Sequence, residues 1–243
     1  MAQASVLPVF RAPGNGEPVI RLAEARKTYK TGSIEFEALR GVDLDIDDGE
    51  YVAVVGPSGS GKSTIMNILG CLDTLTSGSY LLAGENVEEL DEADLAAVRN
   101  RRIGFVFQQF HLLASLSAWR NVELPMMYAG VPRDERRERA VAALERVGLG
   151  DRLDNKPGQL SGGQQQRVAV ARALVTEPTM ILADEPTGNL DSHSTEEVLG
   201  LFDELHTSGR TIVLITHEHE VAARARRIVH VRDGLIQSEE VRA

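Results

Sequence analysis

Cysteine, lysine and long apolar runs are all scarce in this 243-residue chain. A single cysteine, Cys71, excludes an internal disulfide framework and a zinc site built from several cysteines of one chain, and it favours a reducing compartment. No run of 18 apolar residues occurs, so no segment is predicted to span a membrane. Residues 1–18 contain three prolines and no apolar stretch of signal-peptide type, which predicts a flexible tail. We therefore expect a cytoplasmic protein.

The rest of the composition is that of an ordinary globular domain, with 42% hydrophobic and 26% charged residues. The net charge is −10, from 26 Lys+Arg against 36 Asp+Glu. Because non-specific nucleic-acid binding depends on neutralising phosphates, this balance predicts no nucleic-acid partner. Arginines nevertheless occur in three clusters, each interpreted as a solvated helix face. The clusters are Arg99/Arg101/Arg102, Arg133/Arg136/Arg137/Arg139 and Arg224/Arg226/Arg227.

Strand-like runs alternate with helical stretches from Val19 onward. Apolar residues alternate with aspartates over 42–46, and five short apolar runs predict further strands at 51–55, 103–107, 180–183, 211–216 and 228–231. Helices are predicted at 62–69, 91–100, 132–147, 163–174 and 194–206. This interleaving predicts an α/β fold whose mostly parallel sheet is covered on both faces.

The strongest local signal is a phosphate-binding loop at residues 56–64, which matches G-x-x-x-x-G-K-[ST] in full. It follows a predicted strand and opens a predicted helix, where backbone N–H groups and the helix start attract a phosphate. We expect Lys62 to reach the β- and γ-phosphates and the Ser63 hydroxyl to bind Mg²⁺. The predicted nucleotide-binding residues of the loop are Gly56, Pro57, Ser58, Gly59, Ser60, Gly61, Lys62, Ser63 and Thr64.

Two adjacent carboxylates, Asp184 and Glu185, end the apolar run that begins at residue 180. Side chains alternate along a strand, so the two carboxylates point in different directions and can have different roles. Taken alone, this pattern is more typical of a solvated strand end. Together with the phosphate-binding loop, it favours Asp184 as a Mg²⁺ ligand and Glu185 as the base that deprotonates an attacking water.

Residues 160–167 read Leu-Ser-Gly-Gly-Gln-Gln-Gln-Arg and form a second small-residue turn at the start of a predicted helix. Such a helix start also favours anions. One nucleotide does not need two phosphate-binding sites on one chain, unless the second serves the nucleotide of a partner.

On these motifs and their order, residues 19–237 resemble the nucleotide-binding domain of ATP-binding cassette (ABC) transporters. The resemblance implies a P-loop NTPase domain over 19–243, with a RecA-like core, an antiparallel β subdomain and an α-helical subdomain at about 111–160. It also implies hydrolysis of ATP with Mg²⁺ by two copies arranged head to tail. The partner of that dimer would be a separately encoded membrane permease, which would hold the protein on the cytoplasmic face of the membrane.

The resemblance also assigns roles to single residues. Gln108 matches the glutamine that senses Mg²⁺ and water, and His217 matches the histidine that steadies the γ-phosphate. Asp191 matches an aspartate at the subunit boundary, and Tyr29 the aromatic residue that stacks on adenine. Ser161, Gly162, Gly163 and Gln164, called the signature below, would bind the γ-phosphate of the opposing subunit. The implied catalytic set is Lys62, Gln108, Glu185 and His217, and the implied metal set is Ser63, Gln108 and Asp184.

Within that family, residues 67–73, 105–113, 121–125 and 183–191 are similar to the branch of macrolide exporters, lipoprotein-releasing transporters and cell-division ATPases. Export or lipoprotein release is the leading hypothesis, and a transmembrane regulator that drives a non-transporting partner is the alternative. A soluble ABC ATPase acting on nucleic acid or ribosomes is less favoured, because the chain has one phosphate-binding loop and no coiled-coil insertion. In the helical subdomain, Pro125 and residues 130–132 are predicted helix breaks. Phe110, Leu112 and Leu113 are candidate permease contacts that core packing explains equally well.

Overall fold

The computed structural model describes residues 17–32 and 34–242. The predicted tail therefore lies outside the described residues, apart from Glu17 and Pro18. The strands are β1 (Ile20–Thr31), β2 (Ile34–Ile46), β3 (Tyr51–Val55), β4 (Ser77–Leu82), β5 (Glu85–Asn86), β6 (Ile103–Phe107), β7 (Met180–Asp184), β8 (Thr211–Thr216), β9 (Arg227–Arg232) and β10 (Leu235–Val241).

The α-helices are α1 (Lys62–Leu69), α2 (Glu92–Arg102), α3 (Ala118–Tyr128), α4 (Arg133–Arg146), α5 (Gly162–Leu174), α6 (Ser192–Thr207) and α7 (His219–Ala222). All five predicted helices occur, within two residues of the expected ends. The first turn of α2 is fixed by Asp91, whose carboxylate accepts hydrogen bonds from two backbone N–H groups. Among these helices, none is long and apolar enough to cross a bilayer.

A six-stranded sheet in the order β10-β9-β3-β8-β7-β6 forms the centre of the molecule. Its strands are parallel except for β10, which pairs antiparallel with β9 at the edge. Strand β3 is buried along its whole length, with Val52 and Val54 in one apolar cluster and Ala53 and Val55 in another. The predicted mostly parallel sheet with both faces covered is confirmed.

A second, antiparallel sheet in the order β2-β1-β4-β5 covers one face of this core. The sequence pattern indicated only 42–46 of it, the buried end of β2. Strand β1 was not indicated by the pattern because register shifts at Leu22/Ala25 and Lys27/Thr28 interrupt its alternation. The antiparallel region that the family resemblance implied is present.

Helices α3 and α4 follow β6 in the chain and pack against each other, with a break at 130–132 as predicted. Pro125 is not a break: it lies inside α3, so that prediction is wrong. A proline costs the helix one hydrogen bond, at the carbonyl of Asn121, but does not end the helix here. The reason is packing, because Val122 and Met126 on the same helix are completely buried and hold both halves of α3 against the core.

Candidate functional site

The phosphate-binding loop joins β3 to α1 and lies at the carboxyl end of the parallel sheet. Gly61 precedes α1 with a φ of 108°, and a Cβ there would lie 2.9 Å from the carbonyl oxygen of Ala38, so only glycine fits. The Lys62 ammonium folds back over the loop and donates to the carbonyls of Gly56 (2.7 Å) and Pro57 (2.9 Å). Residues 56–61 thus form the turn, and Lys62 starts α1 with its ammonium folded back over that turn.

Asp184 ends β7 beside this loop and is half-buried. Burial raises the pKa of its carboxyl group, the neighbouring charge of Glu185 raises it further, and the ammonium of Lys62 opposes the rise. Asp184 therefore lies within electrostatic reach of Lys62, as expected of a carboxylate near the phosphates of a nucleotide. A cation placed there would remove the repulsion between the two carboxylates.

Glu185 leaves the strand with a φ of 43°, and its N–H donates to the carbonyl of Ile215 at 2.8 Å. This turn directs its carboxylate to the end of β8. There Oε2 accepts from the Thr216 hydroxyl at 2.9 Å, while Oε1 accepts from the backbone N–H of His217 at 3.0 Å. The imidazole Nδ1 of His217 lies 2.6 Å from the same Oε1, and this hydrogen bond raises the pKa of His217. The two predicted catalytic residues are thus direct partners.

Thr216 is a member of this site that the sequence pattern did not indicate. It is buried, and its hydroxyl also accepts from the N–H of Glu218 at 3.0 Å. Its only signal in the sequence is its position between an apolar run and His217. A β-branched residue at a strand end is ordinary, so the pattern alone cannot separate it from a core threonine.

Gln108 follows β6 directly, and its side chain packs against Gly188 in the turn after Glu185. A Cβ at Gly188 would lie 2.6 Å from Nε2 of Gln108, so the close approach requires glycine. The same turn is held by Asn189, whose Nδ2 donates to the carbonyl of Gln108 at 3.1 Å. Gln108 therefore lies against the turn that follows the carboxylate strand.

The buried amide of Gln166, on the signature helix α5, hydrogen-bonds to the chain at the ends of β6 and β7. Its Nε2 donates to the carbonyls of Pro186 (2.6 Å) and Phe107 (3.3 Å), and the side chain is completely buried. The run of three glutamines at 164–166 was a visible signal. The pattern did not show which of the three points inward.

The signature starts α5 with a reciprocal cap. The Ser161 hydroxyl accepts from the N–H of Gln164 at 3.2 Å, and Gln164 Oε1 accepts from the N–H of Ser161 at 3.0 Å. Gly163 lies so close to Ser194 that a Cβ would be 2.5 Å from its hydroxyl oxygen. Asp191 caps α6 through the N–H and hydroxyl of the same Ser194, and these hydrogen bonds lower the pKa of Asp191. Signature and Asp191 thus meet at one serine, and Ser161 stays exposed.

Tyr29 lies on β1 with 37% of its surface exposed. Its hydroxyl donates to Oδ2 of Asp73 at 3.0 Å, and Lys27 Nζ is 2.5 Å from Oδ1 of the same carboxylate and 5.1 Å from the centre of the Tyr29 ring. Burial raises the pKa of the Tyr29 hydroxyl, while a hydrogen bond with Thr64 of the phosphate-binding loop lowers it. Lys27 and Asp73 therefore fix the ring next to that loop. No sequence pattern indicated either residue.

An apolar groove of about 490 Å³ lies beside this site, between α2, β6, α3 and α5. Its apolar lining includes Phe105, Phe107, Leu124, Pro125 and Tyr128. Phe110, Leu112 and Leu113 are not among its lining residues. Leu113 is 50% exposed, and Leu112 is partly buried against the apolar cluster that contains Val122 and Met126.

The oxygen donors near the phosphate-binding loop fit Mg²⁺. Ser63 offers a hydroxyl, Asp184 a carboxylate and Gln108 an amide oxygen, and Mg²⁺ binds through one or two carboxylates together with substrate phosphates and water. The described residues hold no cluster of three or more His, Cys, Asp or Glu side chains that could bind a metal. The donor set therefore suits a metal that arrives with a nucleotide.

Comparison with known proteins gives concordant results. A family model described as ABC transporter matches residues 39–188. The macrolide export ATP-binding/permease protein MacB of Hyphomonas neptunium is 58% identical over 222 residues, which are 91% of this chain and 34% of MacB. The chain therefore spans about a third of the length of that relative. The ATP-binding protein YknY of Bacillus subtilis is 59% identical over 218 residues, 90% of this chain and 95% of YknY.

A solved structure is also similar. The ATP-binding cassette MJ0796, in a dimeric post-hydrolysis state bound to ADP and phosphate, is 44% identical with a TM-score of 0.83. The match covers 91% of this chain and 98% of that one. The region matched by the family model contains the phosphate-binding loop, Gln108, the signature and the two carboxylates, and it ends before Asp191 and His217.

Proposed function

The chain belongs to the ABC transporter family as an ATP-binding, ATP-hydrolysing subunit, and on this premise we propose that two copies enclose two ATP·Mg²⁺ and drive a membrane permease. The predicted ABC ATPase fold is confirmed by the same comparisons. The observation that carries the proposal is the pairing of Glu185 with Thr216 and His217 beside the phosphate-binding loop. This pairing places a base, Glu185, and a γ-phosphate contact, His217, next to the phosphate-binding loop.

Binding begins at Lys62. Its ammonium is held by two carbonyls of its own loop, which are neutral acceptors. A phosphate oxygen is a stronger acceptor because it is charged, so the lysine exchanges these carbonyls for the β- and γ-phosphates. Ser63, Asp184 and Gln108 would hold Mg²⁺, which would neutralise charge on the phosphate oxygens when bound. Tyr29 stacks on the adenine.

Hydrolysis depends on how Glu185 is held. The Thr216 hydroxyl and the backbone N–H of His217 fix the carboxylate in place, so it can accept a proton from a water aligned with the γ-phosphate. The His217 side chain is 69% exposed, so it can leave Glu185 and contact the γ-phosphate when a nucleotide is present. Glu185 then acts on the attacking water and His217 on the γ-phosphate, within the same site.

The second half of each site comes from the other copy. The exposed Ser161 and the first N–H groups of α5 form an anion-favouring helix start separate from the phosphate-binding loop at the start of α1. The dimeric state of MJ0796 supports this arrangement. In the proposed dimer of this chain, the signature residues contact the γ-phosphate bound by the opposing subunit. These residues are Ser161, Gly162, Gly163 and Gln164, and Asp191 lies at the boundary between the two subunits.

Mixing two inactive variants tests the shared site. Lys62→Ala removes the phosphate contact and Ser161→Ala removes the signature hydroxyl, so we expect each variant alone to hydrolyse ATP poorly. A mixed dimer contains one site with both parts intact, so mixing should restore activity. The matched control is a mixture of Lys62→Ala with Ser63→Ala, which leaves every site defective. No gain from the first mixture, with both variants folded, would contradict head-to-tail sites.

The permease contact is the apolar groove between α2, α3 and α5, on the cytoplasmic face of the membrane. Its exposed aromatic residue Tyr128, at 83% exposure, and the half-buried Phe105 and Phe107 suit an apolar segment of a membrane protein. Relatives such as MacB carry ATP-binding and permease parts in one protein, which supports such a partner here. We expect Tyr128→Asp to abolish co-purification with the permease in mild detergent and to leave ATP binding intact.

Export or lipoprotein release is the transport function that we propose, on the strength of the MacB relative. The alternative is a regulator whose permease-like partner moves no solute. Reconstitution of the complex in vesicles separates them, because only a transporter extrudes or releases a substrate when ATP is hydrolysed.

A further inference from the structure

A second concave surface lies on the helical arm formed by α3 and α4, with a volume of about 780 Å³. Four arginines line it, and we call it the arm pocket. They are Arg120, Arg133, Arg136 and Arg137. Glu123 and Asp134 are the acidic residues in the lining, so the pocket is positive within a chain of net charge −10.

The four arginines have no ion-pair partner among the described residues. By contrast Arg139, one turn further along α4, pairs with Glu135 at 2.5 Å. Two of the pocket guanidinium groups lie over the ring of Trp119, at 5.0 Å for Arg120 and 5.4 Å for Arg137. The Nε of Arg136 is buried without a hydrogen-bond partner. Unpaired guanidinium groups held by an aromatic ring are suited to a phosphate, which accepts two parallel hydrogen bonds from each.

The arm pocket adjoins the apolar groove. On α3, Arg120, Glu123 and Met127 line the pocket, while Leu124 and Tyr128, one residue further on, line the groove. This step rests on the proposed function: if the groove holds a permease, the adjoining pocket also faces the membrane. Met127 is 49% exposed there, so the rim of the pocket offers apolar as well as basic contacts.

We propose that the arm pocket binds the headgroup phosphates of acidic phospholipids in the cytoplasmic leaflet. Cytoplasmic segments of membrane proteins are rich in lysine and arginine, so a permease offers this pocket few negative charges. Acidic lipid headgroups form a dense layer of negative charge, which attracts each nearby arginine. A tryptophan flanked by arginines is also suited to the interface between lipid and water.

The test is co-sedimentation of the full chain with vesicles. We expect binding to phosphatidylglycerol vesicles and none to phosphatidylcholine vesicles. The variant Arg133→Gln/Arg137→Gln changes two exposed residues, and it should weaken binding by about 25-fold, since each arginine near the surface contributes about fivefold. The matched control Arg226→Gln/Arg232→Gln removes the same charge from exposed positions near the opposite end of the chain and should bind as the wild type does.

Three results would overturn the proposal. They are equal loss of binding in both variants, no binding by the wild type, and loss of permease co-purification in the Arg133/Arg137 variant while vesicle binding persists. The last result would show that the pocket holds an acidic protein segment. Failure of the mixing experiment on Lys62 and Ser161, together with arginine-dependent vesicle binding, would instead reject the shared catalytic site and support the lipid site.

Discussion

The imidazole Nδ1 of His217 lies 2.6 Å from Oε1 of Glu185. A carboxylate can only accept hydrogen bonds, so Nδ1 carries a proton in this pair. His217, predicted to contact the γ-phosphate, and Glu185, predicted to act on the attacking water, are therefore hydrogen-bonded to each other. Any change that moves the His217 ring therefore also changes the hydrogen bonding of the Glu185 carboxylate.

The first prediction concerns the pKa of His217. The hydrogen bond and the charge of Glu185 raise it above the ordinary value of 6.5, so Glu185→Gln should lower it. A raised histidine pKa stabilises the folded protein below pH 6.5, and this contribution is lost as the pH rises through the folded-state pKa. NMR titration of the ring protons measures both values, with His217→Asn identifying the signal. Equal pKa values in wild type and Glu185→Gln would contradict the pairing.

The second prediction concerns turnover. Replacement of the base by Glu185→Gln should reduce ATP hydrolysis by about 10²–10⁴-fold, because the amide cannot take a proton from water. The amide can still bond to Thr216, so we expect ATP binding to persist and the nucleotide-bound dimer to accumulate on size-exclusion chromatography. The control is Glu220→Gln, an exposed carboxylate on α7. Normal turnover by the Glu185 variant would remove this residue from the role of base.

The third prediction concerns the Tyr29 ring. Asp73 holds both the Tyr29 hydroxyl and Lys27, so Asp73→Asn should free the ring from its fixed position. We expect KM for ATP to rise by about 5- to 150-fold, since loss of a base stack costs about 1–3 kcal/mol, while kcat is unchanged. The control is Asp45→Asn, which removes an exposed pair with Arg21 in the same sheet. A fall in kcat without a change in KM would contradict a positioning role.

Local pattern was sufficient for the elements whose signal lies within one segment. The motif at residues 56–64 predicts the phosphate-binding loop, and the apolar run 180–183 followed by Asp184 predicts the strand that carries the carboxylates. Pairings between distant segments gave no such signal. Lys27 and Asp73 are 46 positions apart, and Glu185 and Thr216 are 31 apart, so only the folded sheets bring them together.

Pro125 shows that a local sequence signal can also give a wrong prediction when packing opposes it. Its local chemistry predicts a break, but burial of the residues around it outweighs one lost hydrogen bond. The family resemblance supplied the roles of Gln108 and His217, which periodicity and spacing do not indicate. It did not show that His217 and Glu185 are bonded to each other, because that depends on the left-handed turn at Glu185.

The last prediction concerns Arg172, which joins the signature helix to the segment after Gln108. From α5 its guanidinium donates to the carbonyls of His111 (2.6 Å) and Phe110 (2.8 Å), and burial lowers its pKa. Because α5 begins at the signature, a shift of this helix in the dimer moves the segment 110–111 at the edge of the apolar groove.

Arg172→Met should therefore leave ATP binding and basal hydrolysis by the isolated subunit intact, and it should remove the stimulation of hydrolysis by the permease. Arg172→Lys should restore little of it, because one ammonium lacks the planar fork that reaches both carbonyls. Arg167→Met is the matched control, since Arg167 lies on the same helix and pairs with Glu197 of α6. Comparison of ATPase rates with and without the permease measures the effect. Full stimulation of the Arg172→Met complex would show that the signature helix communicates with the groove by another route.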